Sequence, residues 1–406
     1  MGDAPLPTEH VLVIFYPMMP EELKEVARQK FPDAEVTIYE VQPGVHVPPE
    51  VYQRATVLAT FVDLPELKDS KNLKIVHTFS AGVDHLLQKP VLQETEIPIT
   101  TSSGIHGPPI AEWTVMNWLV SSRKYVKGYE AQKSHSWDKS VYTPGVHDQV
   151  GKKVGILGYG SIGRQIARVS QALGMTVHAY TATPRPTPES RRDTGYIIPG
   201  TGDPEGSIPA SWHHGTGREA IRSFLASGLD HLVVSLPLTP QTTRLLGAEE
   251  FAILSENSNH HTSKPYVTNI SRGKVIDQKA LVDALNSGVL SGAALDVTDP
   301  EPLPKDDPLW EASNVQISPH VSGLGVEYFP RSLDILAVNL EHIARGIGCN
   351  NATRLDKPWM HCVKSESISL HNFIGALSLF EQILKDISQV ALNPTWTFDL
   401  LGLRPL

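Results

Sequence analysis

The segment VGILGYGSIGRQIARVSQAL, residues 154–173, constrains the fold of this chain more than any other stretch. An apolar run typical of a buried strand leads directly into Gly158, Gly160 and Gly163, and a helical stretch follows. In such a unit the first glycine makes the tight turn, the second lets a pyrophosphate approach the backbone, and the third allows close helix–strand packing. The spacing predicts a dinucleotide loop that includes Ser161 and Ile162 at the helix N-terminus. A glycine-rich turn in an ordinary α/β domain is the alternative.

Strands and helices alternate on both sides of this loop, as in α/β folds with parallel sheets. Strands are predicted at 10–16 and 34–41 around a helix at 20–30, and the segment 73–87 is typical of a strand, a glycine turn and a helix start. A long apolar-striped helix at 108–124 opens a second unit. Strand candidates in that unit lie in five segments, which are 152–180, 230–238, 265–273, 277–297 and 314–320.

The chain has 406 residues, more than one hydrophobic core usually supports, so two Rossmann-like α/β domains with a cleft between them are expected. We predict a substrate domain from residues 1–104 and 321–348, with a dinucleotide-binding domain of residues 105–320 inserted in it. The tail 349–406 loses the strand–helix rhythm and is left unassigned. Residues 183–217 are rich in Pro, Gly and Ser, which predicts a mobile or irregular surface excursion.

Composition excludes several classes of protein. No run of eighteen apolar residues could span a bilayer, and the N-terminus lacks the features of a signal peptide, so we expect no membrane segment and no processing. A net charge of −9 argues against nucleic acid as a partner. The two cysteines, Cys349 and Cys362, cannot build a disulfide framework, which suits the reducing cytoplasm. The pairs His213–His214 and His260–His261 lie in polar segments without acidic partners at ligand spacing, so no metal site is predicted.

Four ionisable residues follow later strand candidates. Arg272 ends NISR, Asp296 ends AALD, Glu301 lies just beyond in DPEPL, and His320 ends ISPH. Taken singly, each is better explained as a surface charge, a turn former or a satisfied buried histidine. Because the carboxyl ends of parallel strands open on the ligand crevice, the four side chains are predicted to converge there.

Several motifs occur together and in order. They are GYGSIG, SLPLTPQTTRLLG, NISRGKVIDQKALVDAL, SGAALDVTDPEPLPKDDPLW and NVQISPHVSG, and FSAGVDHL precedes them. This set resembles the D-isomer-specific 2-hydroxyacid dehydrogenases over roughly residues 50–345. The resemblance implies reduction of a 2-oxo acid to the D-2-hydroxy acid, and the reverse reaction, with a nicotinamide dinucleotide.

The resemblance also implies a role for each of the four ionisable residues and for the loop in FSAGVDHL. His320 becomes the acid/base, Glu301 its partner, Arg272 the group that binds the 2-oxo acid, and Asp296 a contact near the nicotinamide. The backbone amides of Ala81, Gly82 and Val83 would hold the substrate carboxylate. The residue types suit the chemistry, because an imidazolium can protonate the carbonyl oxygen and a guanidinium offers a planar donor fork.

Three other functions compete with this interpretation. Formate dehydrogenases share the arginine and histidine, but that branch carries glutamine where Glu301 stands. Long phosphoglycerate dehydrogenases carry a C-terminal regulatory domain, and the last 58 residues show no β-α-β pattern. A dinucleotide-sensing protein, like the co-repressor relatives of the family, would keep the same residues without metabolic turnover. Sequence alone leaves this last alternative open.

NADP is the preferred cofactor, and NAD is the alternative. In NAD sites an acidic residue about 20 residues beyond the glycine loop binds the adenosine ribose. Thr181 occupies that place, and Arg185 follows in TPRPTP, which resembles the phosphate-binding turn of NADP-dependent glyoxylate/hydroxypyruvate reductases. Leu236 and Pro237 of the SLPL segment are further expected cofactor contacts.

The partner expectations are a small 2-oxo or 2-hydroxy acid and a second copy of the chain. Trp113, Trp118 and Trp137 lie on the helix at 108–124 and the arm after it, where family relatives dimerise. Internal packing of these tryptophans is the alternative.

Overall fold

The computed structural model describes residues 9–346 except 16–20, 42–44, 84–85, 87, 144 and 259–263, together with 348–349 and 352–353. Its strands form two sheets. The helices are α1 (Glu21–Lys30), α2 (Pro49–Gln53), α3 (Pro90–Gln93), α4 (Gly107–Ser122), α5 (Tyr125–Lys133), α6 (Ser161–Ala172), α7 (Pro188–Arg191), α8 (Arg218–Leu225), α9 (Ala248–Glu256), α10 (Gln278–Asn286) and α11 (Tyr328–Ala344). Short 3₁₀ turns occupy Leu67–Asp69, Lys139–Tyr142, Gly273–Val275 and Pro308–Glu311.

The first sheet is parallel apart from one edge. Its strands are β1 (His10–Phe15), β2 (Glu35–Glu40), β3 (Val57–Thr60), β4 (Ile75–Thr78) and β5 (Ile99–Thr101). The order is β5-β4-β3-β1-β2, and the short strand Ala352–Thr353 pairs antiparallel with β5 at the edge. The unassigned tail therefore contributes one short strand to this sheet.

The second sheet is wholly parallel. Its strands are β6 (Lys153–Leu157), β7 (Thr176–Thr181), β8 (Ser211–His214), β9 (His231–Val234), β10 (Tyr266–Asn269), β11 (Gly292–Leu295) and β12 (Val315–Ile317). They lie in the order β12-β11-β10-β9-β6-β7-β8, with β6 of the glycine loop near the middle. The α/β fold with two parallel sheets predicted from the alternating pattern is confirmed.

Helices cover both faces of each sheet, which explains the continuous apolar strands. In β1, Val11, Val13 and Phe15 belong to one core cluster, whereas Leu12 and Ile14 belong to the cluster on the opposite face. This split follows from the two-residue period of a strand. The pattern HVLVIF thus specifies a central strand that is buried on both sides.

Helix α11 brings the end of the described chain back to the first sheet. Its Phe329, Leu333 and Leu336 are buried in the same cluster as Val11 and Val13. Residues beyond the second sheet thus complete the core of the first. The packing is consistent with a domain inserted within another, and the exact boundaries stay a prediction.

The expectation that residues 183–217 form a mobile or irregular excursion is confirmed for their irregularity, because most of the segment lacks regular secondary structure, but the segment is packed against the rest of the domain. The segment contains α7 and ends in β8, a seventh strand of the second sheet. Asp203 is 3% exposed and accepts hydrogen bonds from the Tyr159 hydroxyl at 2.8 Å and from the backbone N–H groups of Ser207 and Ile208. The buried Arg164 guanidinium donates to the carbonyl oxygens of Asp203 and Arg191, each at 2.6 Å. Residues 183–210, here named the insert, are therefore tied to α6 and the glycine loop.

The three tryptophans proposed for an interface differ in environment. Trp118 is fully buried and donates from Nε1 to the Thr268 hydroxyl at 2.9 Å, and Trp113 packs against the same core cluster. Trp137 is 96% exposed. No helix of the described chain is long and apolar enough to cross a membrane.

Candidate active site

The glycine loop has the geometry that its spacing predicts. Gly158 has a φ of +108°, and a Cβ there would lie 2.4 Å from the Ser235 carbonyl oxygen. A Cβ at Gly163 would lie 2.4 Å from the Gly158 carbonyl oxygen and 2.9 Å from a methyl carbon of Ile156. Both positions therefore require glycine, one for the turn and one for close packing of helix α6 on strand β6.

Gly160 differs from the other two glycines, because no atom lies within 4 Å of the position of its Cβ. Glycine is not needed there to avoid a clash within the protein. It leaves open space in front of the first turn of α6, whose N–H groups are unpaired within the helix. Ser161 and Ile162 form this turn. The residues therefore fit a dinucleotide whose pyrophosphate approaches the loop closely.

The next loop lies at the carboxyl end of β7. Thr181 ends this strand, and its hydroxyl donates to the Thr183 carbonyl oxygen at 2.8 Å. Arg185 is half-buried and donates from Nη1 to the Ser190 carbonyl oxygen at 2.7 Å. Its Nε is buried and has no hydrogen-bond partner among the described residues. The Arg185 side chain is therefore tied to the turn around α7, four residues beyond the end of β7.

The later strands bring the predicted ionisable residues to one edge of the second sheet. Strands β9, β10, β11 and β12 are consecutive neighbours and parallel, so their carboxyl ends face the same way. Leu236 and Pro237 follow β9, Arg272 follows β10, Asp296 follows β11, and His320 follows β12.

Glu301 and His320 form a direct pair. The imidazole Nδ1 lies 2.7 Å from Oε1 of Glu301, and the two side chains are 42% and 31% exposed respectively. The carboxylate therefore sets the ring orientation and leaves Nε2 for another partner. His320 has a φ of +58°, an uncommon conformation for a residue other than glycine, so its position requires specific support.

Asp296 supplies that support. It is 2% exposed, and its Oδ1 accepts hydrogen bonds from the Ser318 hydroxyl at 2.6 Å and the Val321 N–H at 2.8 Å. Its Oδ2 accepts from the N–H and the hydroxyl of Ser322. The Asp296 carbonyl also accepts from the His320 N–H at 2.9 Å. Asp296 therefore holds residues 318–323, here named the histidine loop, and its expected contact with the nicotinamide stays a prediction.

Arg272 lies in extended backbone just before a 3₁₀ turn and is half-buried. Its Nη1 donates to the Ser271 carbonyl at 2.8 Å, and its own carbonyl accepts from the Asn269 side chain. A Cβ at Gly273 would lie 1.9 Å from the Thr298 carbonyl oxygen. This close approach joins the loop of Arg272 to the loop that carries Glu301.

The predicted substrate loop follows β4 of the first sheet. The Ser80 hydroxyl bonds the Thr78 hydroxyl and donates to the Gly82 carbonyl oxygen, both at 2.7 Å. Ala81 is exposed, whereas Gly82 and Val83 are half-buried. The side chain of Ser80 therefore orders the turn that presents the backbone of Ala81, Gly82 and Val83.

One recess is lined by the substrate loop and the dinucleotide loop, and Arg272, Glu301 and His320 are not among its lining residues. It has a volume of about 130 Å³, and its lining residues are Ala81, Ser103, Gly104, His106, Gly160, Ser161, Ile162 and Ser235. We name it the cleft. Ala81 of the substrate loop and Gly160, Ser161 and Ile162 of the dinucleotide loop line the same cleft.

The sequence did not single out Ser103, Gly104, His106 or Ser235. The available signal was the histidine two residues before the paired prolines at the start of a helix, in SSGIHGPP. Two histidine pairs were considered as metal ligands in the sequence. His213 and His214 lie on β8, and His260 and His261 lie outside the described residues. Within the described chain, no three His, Cys, Asp or Glu residues are grouped as metal ligands.

The part of the chain that forms the second sheet matches a known protein family. Residues 115–197 and 213–322 match the family model described as D-isomer specific 2-hydroxyacid dehydrogenase, NAD binding domain. The interruption, residues 198–212, covers the second half of the insert and the start of β8. This part of the chain is therefore absent from the family pattern.

Individual proteins are similar over longer stretches. A glyoxylate reductase of Thermofilum pendens is 28% identical over 292 residues, which are 71% of this chain and 77% of that protein. The human glyoxylate reductase/hydroxypyruvate reductase is 30% identical over 271 residues, which are 66% of this chain and 73% of that protein. The crystal structure of an NADPH-dependent glyoxylate/hydroxypyruvate reductase of Sinorhizobium meliloti, in complex with NADP and sulfate, matches with a TM-score of 0.64. That match has 25% identity over 86% of this chain and 99% of the other.

Proposed function

This chain belongs to the D-isomer-specific 2-hydroxyacid dehydrogenase family, and on that premise we propose that it reduces a small 2-oxo acid to the D-2-hydroxy acid with NADPH. The observation that carries the proposal is the Glu301–His320 pair at 2.7 Å. The pair lies on the sheet edge that also carries the glycine loop, and the substrate loop faces that glycine loop across the cleft.

The bound dinucleotide supplies the hydride that C2 of the oxo acid accepts. His320 gives a proton from Nε2 to the carbonyl oxygen as the C–O bond becomes single, and Glu301 stabilises the charged imidazole from the Nδ1 side. Arg272 binds the carboxylate and carbonyl as a two-pronged donor. The backbone amides of Ala81, Gly82 and Val83 hold the other end of the carboxylate.

Steady-state turnover tests the proposal. We expect the wild-type protein to oxidise NADPH with glyoxylate, hydroxypyruvate, or a branched or aromatic 2-oxo acid. His320→Ala should lower kcat by roughly a hundredfold or more, with NADPH affinity from fluorescence titration near wild type. His214→Ala is the matched control, because His214 is an exposed histidine on β8. Tight NADPH binding without turnover on any acid would instead favour a dinucleotide-sensing role.

The preference for NADPH over NADH is a finer part of the proposal. No carboxylate occupies the end of β7, where an acidic residue would repel the 2′-phosphate, and Arg185 follows four residues later as a guanidinium that can pair with it. The named activity of the Sinorhizobium meliloti neighbour agrees with this choice.

Two substitutions test the cofactor preference. Thr181→Asp combined with Arg185→Ala should shift the ratio of kcat/KM values toward NADH by about tenfold or more. Arg192→Ala is the control, because the exposed Arg192 pairs with Glu205 at 2.7 Å. A wild-type enzyme that works better with NADH would refute the preference.

We further propose that two copies pair through α5 and the arm after it, in the cytoplasm. Trp137 is 96% exposed, Tyr125 60% and Tyr129 45%, so this arm presents aromatic surface. Sedimentation at micromolar concentration should give a dimer, which Trp137→Ala weakens and Trp310→Ala leaves intact. A monomeric wild-type protein would contradict the pairing.

A further inference from the structure

Tyr328 lies at the start of helix α11, and none of the proposed catalytic steps uses it. Its hydroxyl donates to the Phe79 carbonyl oxygen at 2.7 Å, across 249 positions of the sequence. Phe79 directly follows strand β4 and precedes Ser80 and Ala81, which open the substrate loop. The side chain of Tyr328 therefore binds the backbone at the point where the substrate loop leaves the first sheet.

The start of helix α11 is itself fixed to the core of the first sheet. Phe329 is 4% exposed, and its ring lies 5.2 Å from the ring of Phe15 and 5.2 Å from the ring of Phe79, measured between centroids. The ring of Tyr328 lies 6.4 Å from that of Phe61. Burial raises the pKa of the Tyr328 hydroxyl, so this group stays protonated and remains a donor near neutral pH. The donor to Phe79 is therefore held in place by the core of the first sheet.

The ring of Tyr328 also contacts the segment that crosses from the first sheet to the second. It packs edge-on against His106, with 4.9 Å between the ring centroids. Burial lowers the pKa of His106 to about 4, so the imidazole is uncharged at neutral pH. His106 in turn contacts the histidine loop, because a Cβ at Gly323 would lie 3.2 Å from its Cδ2. The continuous set of contacts Gly323–His106–Tyr328–Phe79 is here named the aromatic link.

The two ends of the aromatic link carry different parts of the proposed reaction. At one end, the histidine loop carries His320, which gives the proton to the carbonyl oxygen. At the other end, the substrate loop presents the backbone amides of Ala81, Gly82 and Val83, which hold the carboxylate. These two groups of a 2-oxo acid are neighbours, so a shift of about 1 Å between the loops would move the carbonyl oxygen away from its proton donor.

We propose that Tyr328 is a positioning residue for this reaction, because its hydroxyl holds the substrate loop in register with the histidine loop. The inference rests on the proposed function and assigns Tyr328 a role that acts through the backbone of Phe79. The substrate loop keeps a second attachment, since the Ser102 N–H donates to the Ser80 carbonyl oxygen at 3.1 Å. Loss of the Tyr328 hydroxyl should therefore weaken carboxylate binding without releasing the whole loop.

Tyr328→Phe is the test, because it removes the hydroxyl and keeps the ring that packs against His106. We expect KM for the 2-oxo acid to rise by about three- to tenfold, because the Phe79 carbonyl loses this donor. The fall in kcat should be smaller, at about twofold, since the Glu301–His320 pair is kept. NADPH affinity, measured by fluorescence titration, should equal that of the wild type.

Tyr266→Phe is the matched control. The Tyr266 hydroxyl belongs to a buried residue and makes one side-chain hydrogen bond, to Gln316 at 3.1 Å. Tyr266 begins β10, whereas Arg272 follows the other end of that strand. The control should therefore lower stability against urea by an amount similar to Tyr328→Phe and leave KM and kcat unchanged. Circular dichroism checks that both variants are folded.

A second variant tests the contact through His106. His106→Leu removes the ring against which Tyr328 packs and should also raise KM. In the double variant, the rise should be smaller than the product of the two single effects, because both substitutions release the same aromatic link. A rise equal to the product would show two independent contacts and would overturn the link.

The outcomes separate this inference from the proposed function. An active enzyme whose KM is the same in Tyr328→Phe and wild type would overturn the inference alone. The same holds for an equal rise in KM in Tyr266→Phe, which would reflect a general loss of stability, and for a loss of NADPH affinity without a change in KM. A wild-type enzyme that reduces no 2-oxo acid would overturn the proposed function and the inference together.

Discussion

Asp296 gives the sharpest test of how this site is held, because one buried carboxylate supports the whole histidine loop. Four donors bind its two oxygens, which are the hydroxyls of Ser318 and Ser322 and the backbone N–H groups of Val321 and Ser322. The substitution Asp296→Asn keeps the size of the side chain and removes the charge. One of the two oxygens then becomes an NH₂ group that faces donors.

The expected cost follows from these contacts. The serine hydroxyls can rotate and accept a hydrogen bond from the new NH₂ group, but a backbone N–H cannot, so the N–H of Val321 or of Ser322 loses its acceptor. A buried donor left unsatisfied costs about 1–3 kcal/mol, and the two remaining bonds weaken by about 1 kcal/mol each when the acceptor loses its charge. The free energy of unfolding should therefore fall by about 3–5 kcal/mol, a large share of the roughly 5–15 kcal/mol typical of a folded protein.

Activity should fall with stability. His320 stays in its left-handed conformation only while the loop is held, and a relaxed loop separates its Nδ1 from Glu301. Urea unfolding followed by circular dichroism, and kcat with a 2-oxo acid, are the two assays.

Ser318→Ala is the graded control for Asp296→Asn, because it removes one of the four bonds and should lower stability by about 1 kcal/mol. If Asp296→Asn unfolds within error of wild type, or if the two variants are equally destabilised, the proposed support of the histidine loop is refuted.

Four other predictions concern the catalytic pair, the substrate arginine, the insert and the pH dependence of stability. Glu301→Gln should lower kcat for reduction while NADPH affinity is kept, since the imidazole loses the carboxylate that orients it; an unchanged kcat would count against a role for Glu301 in catalysis. Arg272→Lys should reduce kcat/KM for the oxo acid while NADPH affinity is kept, because a point charge replaces a two-pronged donor, and equal efficiency would count against its role. Arg164→Met should lower the thermal midpoint and expose the insert to limited proteolysis near residue 203, because two buried carbonyls lose their donor; unchanged cleavage would show that Arg164 does not anchor it. Burial lowers the pKa of His77 to about 3, below its value in the unfolded chain, so its contribution to stability is complete above about pH 6.5 and declines by about 1.4 kcal/mol per pH unit as the pH falls toward 3. Thermal unfolding from pH 7.5 to 5 should show this slope, and it should be shallower in His77→Gln.

The sequence by itself determined the parts of this protein that depend on local backbone geometry. Gly158 and Gly163 are required by a turn and by a helix packed on its own strand, so their spacing predicted the loop directly. Arg272 and His320 each follow an apolar strand, and parallel strands end at a common edge. The ordered motifs then identified the family, as the match over residues 115–197 and 213–322 confirms.

Only the tertiary structure decided which distant groups satisfy one another. The composition of the insert predicted its irregular backbone, but not that Tyr159 and Arg164 hold Asp203 in a buried position. The sequence did not indicate that Asp296 anchors the histidine loop, a role shown by its four hydrogen bonds with residues beyond β12, and its expected cofactor contact stays a prediction.

The position of His106 in the cleft depends even more on the tertiary structure. It was one histidine among 17, and it lies in the cleft because the segment after β5 packs against Gly323, more than 200 residues later. Periodicity and spacing report what a residue does to its own helix, strand or turn. The partner of a buried polar atom is set instead by which distant segments pack against it, and only the folded chain determines that.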